Sequence, residues 1–194
     1  MTGKVLDDSL VPLSVGREQS SLLFDEQVIE KAVADVAENL NRHCASEPWV
    51  LICVLNGGLV FCGHLLPLLR FELVLDYVRV SRYGKDTHGG ALEWRAQQET
   101  SLAGKNVLLI DDIFDEGATL KAIALYCQAQ GASQVRSAVL VNKQHDRKVP
   151  GFHPDHVGLE CPDKYVFGFG MDLHGGYRNL PAIHVLAGDQ GVAD

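Results

Sequence analysis

The stretch Val107-Leu-Leu-Ile-Asp-Asp-Ile-Phe-Asp-Glu-Gly-Ala-Thr119 decides the fold, because an apolar run, two carboxylates and a glycine turn follow one another in it. The pattern predicts a short buried strand over residues 107–110, a turn over residues 111–117 and a helix over residues 118–130. Amide groups at a helix N-terminus favour an anion. The turn therefore suits a monophosphate.

Outward from this stretch, strands alternate with helices. Asp25 is a good N-cap for an amphipathic helix that ends near residues 44–48, and the glycine turn Asn56-Gly57-Gly58 separates a strand from a second helix. The strands are expected at residues 49–55, 71–81, 107–110 and 135–141, and the second helix at residues 60–69. This alternation predicts an α/β fold, with a mostly parallel, twisted sheet flanked by helices.

Two regions depart from the alternation. Residues 82–99 are polar and contain three glycines, so we expect a mobile loop there. Residues 151–185 are richer in glycine and aromatic side chains and predict a small lobe with short strands. The whole chain, 1–194, is expected to be a single domain, with a core over about 25–145 and a small hood formed by about 1–24 and 150–194.

Composition excludes several classes of protein. The chain has 194 residues, of which 46% are hydrophobic, and 17 basic against 25 acidic side chains give 17 − 25 = −8. This balance argues against disorder and against a nucleic-acid or membrane partner. The N-terminus lacks a basic-then-apolar segment, so we expect a cytoplasmic protein. Five cysteines without a C-x-x-C spacing predict buried free thiols.

The acidic side chains after residue 110 have two interpretations. Asp111 and Asp112 suit the two vicinal hydroxyls of a ribose, or a Mg²⁺ ion, because carboxylate oxygens are preferred ligands for that ion. Gly117 permits close approach to a phosphate, and Thr119 adds a hydroxyl. In the alternative interpretation Asp115 and Glu116 only cap the helix, and Asp111 and Asp112 are solvated loop acids.

The quoted stretch resembles the phosphoribosylpyrophosphate-binding motif of the type I phosphoribosyltransferases. The resemblance implies that family's fold. It also implies a pyrophosphate loop at Asn56, Gly57 and Gly58, preceded by a non-proline cis peptide bond. Ser81 and Tyr83 correspond to the family's catalytic lid, which excludes water from the ribosyl centre.

A segment near the C-terminus resembles the hypoxanthine-guanine branch of that family. It begins Pro162-Asp163-Lys164-Tyr165-Val166 and continues to Asp172 and Arg178. The resemblance implies that Tyr165 stacks on the purine and that the Val166 backbone hydrogen-bonds its edge. Asp172 would ligate a second Mg²⁺ ion, and Arg178 would contact pyrophosphate.

Lys143 and Asp115 complete the implied site. Lys143 corresponds to the family lysine that donates to the 6-oxo group of hypoxanthine or guanine, and a cation favours this oxygen over the amino group of adenine. Asp115 is the candidate general base for the purine. Mg²⁺ is the expected cofactor, held by Asp111, Asp112 and Asp172.

The implied activity joins a 6-oxopurine to phosphoribosylpyrophosphate, giving a nucleoside monophosphate and pyrophosphate, in a homodimer or homotetramer. The alternatives are a xanthine-preferring enzyme and a regulator of the same fold that binds nucleotide and RNA. The predicted substrate-binding residues are Asn56, Gly57, Gly58, Ser81, Tyr83, Asp111, Asp112, Glu116, Gly117, Ala118, Thr119, Lys143, Lys164, Tyr165, Val166 and Arg178.

Overall fold

The computed structural model describes residues 20–82 and 92–186, which form nine strands and three α-helices. The strands are β1 (Ser20–Phe24), β2 (Trp49–Leu55), β3 (Leu73–Arg82), β4 (Leu92–Ala96), β5 (Asn106–Phe114), β6 (Gln134–Gln144), β7 (His156–Pro162), β8 (Val166–Phe167) and β9 (Ile183–Leu186). The helices are α1 (Glu26–His43), α2 (Gly58–Leu65), followed by a 3₁₀ turn at Leu66–Leu68, and α3 (Ala118–Ala129).

A six-stranded sheet in the order β4-β3-β2-β5-β6-β7 forms the centre of the protein. Neighbouring strands from β3 to β7 pair in parallel, and β4 alone is antiparallel. Alternate residues of β5 pack on opposite faces: Leu108 joins the cluster that contains α1 and α2, and Leu109 joins the cluster that contains α3. The predicted parallel sheet covered by helices is confirmed.

Helix α1 follows the predicted pattern. The side chain of Asp25 accepts a hydrogen bond from the Val28 amide at 2.9 Å, which satisfies one of the unpaired donors of the first turn. The helix ends at His43, and the next residue, Cys44, donates its amide to the Leu40 carbonyl. Its apolar stripe, from Ile29 to Leu40, is buried against the sheet.

The second sheet joins the two ends of the chain. Its order is β1-β9-β8, and β1 pairs antiparallel with β9. The predicted boundary of this hood at residue 150 is wrong, because β7 lies in the large sheet and pairs with β6. As an edge strand, β7 has only a broken pattern of buried residues, which explains why its sequence did not mark it as a core strand.

A strand also lies inside the polar stretch for which a mobile loop is expected. Strand β4 pairs with the end of β3, and Trp94 packs on Tyr126 with ring centroids 4.3 Å apart. Backbone pairing with β3 stabilises this short edge strand, so polar side chains on it are tolerated.

Two expectations about the chain as a whole can be checked on the described residues. None of their helices has the length and apolar character needed to cross a membrane. All five cysteines are buried free thiols, as predicted: Cys44, Cys53, Cys62, Cys127 and Cys161.

Candidate active site

A pocket of about 450 Å³ opens at the carboxyl ends of β2 and β5, where ligands bind in parallel α/β sheets. Side chains and backbone from four separate segments meet there. The lining residues are Val54, Leu55, Gly57, Val80, Asp111, Asp112, Ile113, Asp115, Glu116, Gly117, Thr119, Leu120, Asp172 and Arg178.

Strand β5 continues through the acidic pair, so the predicted turn over residues 111–117 is wrong in its first half. The strand runs to Phe114 because Asp111, Ile113 and Phe114 extend the parallel pairing with β6. Only residues 115–117 form the turn. Asp111 and Asp112 are thus rigid strand residues with 8% of their surface exposed, which excludes their interpretation as solvated loop acids.

Burial controls the charge of this pair. It raises the pKa of Asp111 well above its ordinary value, and the adjacent Asp112 carboxylate raises that pKa further. Burial also raises the pKa of Asp112, although the amide of Ile113 and the positive charge of Arg178 act in the opposite direction. Burial thus disfavours the charged form of both carboxylates. A cation or hydroxyl groups placed in the pocket would stabilise that form, so the two carboxylates fit Mg²⁺ or a ribose.

The turn after β2 presents backbone to the same pocket. The Leu55–Asn56 peptide bond is cis, as the family resemblance implies. A Cβ atom on Gly57 would overlap the Asp112 carboxylate, and one on Gly58 would lie 2.8 Å from the Ile110 carbonyl oxygen. Glycine is therefore required at both positions, since the β2 turn packs directly on the acidic end of β5.

The turn between β5 and α3 also depends on glycine. Gly117 has φ = +84° and lies against the ring of Phe114, where a Cβ atom would overlap the ring. The amides of Ala118 and Thr119 then open helix α3 beside the pocket. These N–H groups and the helix dipole form a suitable anion site.

Asp115 does not serve as a simple helix cap. Its Oδ2 accepts from Lys143 Nζ at 2.9 Å and its Oδ1 lies 2.8 Å from His145 Nε2. Burial acts to raise the pKa of Asp115, but the hydrogen bonds and charges of Lys143 and His145 outweigh it and lower the pKa below its ordinary value. Asp115 is therefore ionised and oriented. Lys143 belongs to β6, which extends to Gln144 rather than ending at residue 141 as predicted.

The hood contributes the remaining predicted residues. Arg178 donates to the Gly170 carbonyl and to Asp172 Oδ1, both at 2.5 Å. The hydroxyl of Tyr165 donates to the Asp172 carbonyl at 3.0 Å, and Val166 begins the buried strand β8. Asp172 and Arg178 line the pocket with the acidic pair. The described predicted residues that lie outside its lining, besides Ser81, are Asn56, Gly58, Ala118, Lys143, Lys164, Tyr165 and Val166.

Of the two predicted lid residues, Ser81 does not line the pocket. The Ser81 hydroxyl donates to Glu93 and accepts from Arg95, each at 3.2 Å, and so joins β3 to β4. Tyr83 lies outside the described residues.

Sequence reasoning missed three side chains at the site. Lys148 donates to the carbonyl oxygens of Phe114 and Asp115, at 2.8 and 2.6 Å, and so fixes the start of the turn over residues 115–117. His145 bonds to Asp115, and Arg147 forms a double salt bridge with Asp163 at 2.8 and 2.9 Å. All three follow Lys143 closely in sequence, which is the signal that could have identified them.

One group among the described residues could hold a metal ion. The ligand atoms of Asp115, His145 and Asp163 lie within 4.8 Å of one another. The predicted metal ligands, Asp111, Asp112 and Asp172, do not form such a three-residue group in the described structure.

Comparison with known proteins agrees with this geometry. Residues 19–174 match the phosphoribosyl transferase domain. The chain is 32% identical to the hypoxanthine-guanine phosphoribosyltransferase of Aquifex aeolicus, covering 85% of this chain and 93% of the relative. It is 30% identical to the hypoxanthine-guanine-xanthine phosphoribosyltransferase of Tritrichomonas foetus, covering 85% and 90%.

A solved structure extends the agreement to the fold. A hypoxanthine phosphoribosyltransferase from Staphylococcus aureus superimposes with a TM-score of 0.83 at 27% identity, covering 90% of this chain and 96% of that one. The part of the chain that matches the phosphoribosyl transferase domain includes β2, β5, the turn before α3 and most of the hood segment that contains Tyr165 and Asp172. The chain therefore belongs to the phosphoribosyltransferase family.

Proposed function

We propose that the protein transfers the 5-phosphoribosyl group from phosphoribosylpyrophosphate to hypoxanthine or guanine, giving IMP or GMP and pyrophosphate in purine salvage. The observation that carries the proposal is that the acidic end of β5, the N-terminus of α3 and the glycine turn after β2 meet in one pocket. The similarity to a hypoxanthine-guanine and a hypoxanthine-guanine-xanthine phosphoribosyltransferase supports the same activity.

The donor occupies the pocket through its three polar parts. The 5-phosphate binds at the turn Glu116, Gly117, Ala118 and Thr119, where the first-turn amides of α3 favour an anion. The ribose hydroxyls bind the carboxylates of Asp111 and Asp112.

The pyrophosphate group lies toward the β2 turn. Gly57 and Arg178 line the pocket on this side. In the proposed reaction the amides of Asn56, Gly57 and Gly58 and the guanidinium of Arg178 stabilise the charge that grows as the ribosyl–oxygen bond breaks. Magnesium, held by Asp111, Asp112 and Asp172, would add positive charge against the leaving pyrophosphate.

The purine binds between Lys143 and the hood. Tyr165 is 38% exposed and offers a ring face for stacking, and Val166 and Lys164 lie beside it. Lys143 donates to the 6-oxo group, which favours hypoxanthine and guanine over adenine.

Asp115 accepts the purine proton. The ring nitrogen forms its bond to the ribosyl carbon while the bond to pyrophosphate breaks, and the proton of the attacking nitrogen passes to the Asp115 carboxylate. The lowered pKa keeps that carboxylate ionised at neutral pH. Ser81 and Tyr83 belong to the region that excludes water from the ribosyl centre.

A xanthine-preferring enzyme is the second candidate, favoured by the Tritrichomonas foetus relative whose name includes xanthine. A regulator that binds nucleotide and RNA fits less well, because the net charge of −8 opposes binding to a phosphate backbone. We further propose a homodimer or homotetramer in the cytoplasm.

The activity can be tested directly with purified protein, phosphoribosylpyrophosphate, Mg²⁺ and hypoxanthine. We expect IMP and pyrophosphate in equal amounts, identified by mass spectrometry and by a coupled phosphate assay. Omission of Mg²⁺ should abolish both products. Pyrophosphate released without nucleotide would indicate hydrolysis of the donor and would contradict the transfer reaction.

A further inference from the structure

His145 is a buried side chain at the site to which the proposed reaction gives no role. It follows the last residue of β6, and its side chain is 4% exposed, whereas the Asp115 side chain that it contacts is 45% exposed. A nearly buried imidazole beside a half-exposed carboxylate can restrict the orientation of that carboxylate.

The hydrogen bonds of the ring indicate which nitrogen donates and which accepts. Nδ1 accepts from the Arg147 amide at 3.1 Å, so this nitrogen carries a lone pair. The proton of the neutral ring then lies on Nε2, which donates to Asp115 Oδ1 at 2.8 Å. His145 is thus a hydrogen-bond donor to Asp115 and does not compete with it for the purine proton.

The two donors to Asp115, Lys143 and His145, differ in whether they also contact the substrate in the proposed reaction. Lys143 bonds to Oδ2, but under the proposed function it must also reach the 6-oxo group of the purine. His145 bonds to Oδ1 and has no substrate contact to make. When Lys143 turns to the purine, His145 is the donor that keeps the carboxylate in place.

We propose that His145 is a positioning residue that holds Asp115 Oδ1, so that Oδ2 faces the purine proton. The inference rests on the proposed function, in which Asp115 is the general base. It assigns to the segment after β6 a part in catalysis that the sequence did not indicate.

The surroundings of His145 support positioning rather than metal binding. Arg147, whose amide fixes the ring, is itself fixed by its double salt bridge to Asp163. Asp115 and Asp163 are each already paired with a cation, Lys143 and Arg147 respectively. A metal ion among Asp115, His145 and Asp163 would have to displace both cations and the Nε2 proton.

Kinetics of two variants test the role. His145→Leu removes the donor, and we expect kcat with hypoxanthine to fall roughly 10- to 100-fold because a misoriented base reacts slowly. The KM for phosphoribosylpyrophosphate should stay the same. His145→Gln, whose amide nitrogen can reach the position of Nε2, should restore most of kcat.

Gln144→Ala is the matched control, since the adjacent Gln144 side chain bonds to Glu160 on β7. It should leave kcat unchanged, and thermal melts should show that all three variants are folded. Unchanged kcat in His145→Leu, or equal loss in His145→Leu and His145→Gln, would overturn the proposal.

Nitrogen-15 NMR of the ring separates this inference from the proposed function. We expect the wild-type protein to show a neutral His145 protonated on Nε2, and Asp115→Ala to shift that resonance. This result would stand even if no purine were a substrate. A proton on Nδ1 would refute the proposed hydrogen bond, whatever the activity.

Discussion

The turns that follow the neighbouring strands β2 and β5 enter the same pocket in opposite ways. After β2 the chain offers backbone and two glycines, whereas β5 ends in Asp111 and Asp112 and is followed by Asp115. Gly57 has no side chain because the Asp112 carboxylate occupies that space. One turn therefore supplies room and amide groups, whereas the other supplies the carboxylates to which the proposed function assigns the ribose contacts and the general base.

The largest loss of activity is expected for a variant in the turn after β5. Asp115→Asn removes the general base, and kcat should fall by roughly 10²- to 10⁴-fold. Binding of phosphoribosylpyrophosphate, measured by calorimetry, should be largely retained because Asp115 is not assigned to the donor. Near-normal turnover would refute the role of Asp115.

The variant Gly57→Ala tests the packing of the turn after β2 on Asp112. The new methyl group overlaps the Asp112 carboxylate, and either the turn or the acid must move, so kcat/KM should fall by about 100-fold. Gly63→Ala in helix α2 is the matched control, because a Cβ there has no neighbour within 4 Å.

The control variant should keep full activity and gain about 0.5–1 kcal/mol in free energy of unfolding, as alanine replaces glycine in a helix. Steady-state kinetics and urea denaturation measure both quantities. Equal activities of Gly57→Ala and Gly63→Ala would mean that the packing of Gly57 on Asp112 has no part in function.

Lys143→Ala should have an intermediate effect. Loss of a charged hydrogen bond to the base predicts a decrease of roughly 10- to 100-fold in kcat/KM for hypoxanthine, with a smaller effect on the donor. Lys143 also lowers the pKa of Asp115. Its removal should raise that pKa, so activity in the variant should decline at a higher pH during acidification than in the wild type.

The pH–rate profile and the KM of each substrate provide the readouts. Equal losses for hypoxanthine and for phosphoribosylpyrophosphate would argue against contact between Lys143 and the 6-oxo group. An unchanged acid limb would contradict its electrostatic effect on Asp115.

The smallest effect on activity is expected for a buried acid outside the pocket. Asp76, on β3, is as buried as Asp111, but it accepts hydrogen bonds from the amides of Tyr77, Glu99 and Thr100. Burial acts to raise the pKa of Asp76, but a hydrogen bond with the Thr100 side chain and the three amide hydrogen bonds more than offset it and leave the pKa lowered.

Asp76→Asn should therefore lower the free energy of unfolding by about 1.5–3 kcal/mol at pH 7 and leave kcat unchanged. A lowered pKa in the folded state stabilises the protein above the unfolded pKa, and this stabilisation is lost as the pH falls through the folded pKa. The difference between variant and wild type should thus shrink on acidification below about pH 4. A difference independent of pH would refute this account.

Sequence patterns predicted the elements whose side chains alternate or recur regularly. The apolar run of β2, the cap Asp25 and the stripe of α1 each specify one local structure, and all three were confirmed. Strand β4 was not predicted, and β7 was assigned to the hood instead of the large sheet. Backbone pairing at the sheet edges defines both strands, and the side chains of one stretch of sequence do not indicate that pairing.

The candidate site divides in the same way. The acidic pair could be predicted because it follows directly on the apolar run of β5, and the glycines could be predicted because they lie in turns between regular elements. Sequence patterns could not predict the hydrogen bond from His145 to Asp115 or those from Lys148 to the carbonyl oxygens of Phe114 and Asp115. These bonds join residues 30 or more positions apart, across β5 and β6. Only the parallel pairing of these strands brings the two segments together.

The reaction proposed for this pocket is the transfer of a phosphoribosyl group to a 6-oxopurine. The most direct measurement is kcat/KM for hypoxanthine, guanine, xanthine and adenine with the same donor and Mg²⁺. We predict that hypoxanthine or guanine exceeds adenine by at least about 100-fold, because Lys143 offers a donor where adenine has one too. Equal use of adenine, or no nucleotide from any of the four bases, would contradict the account.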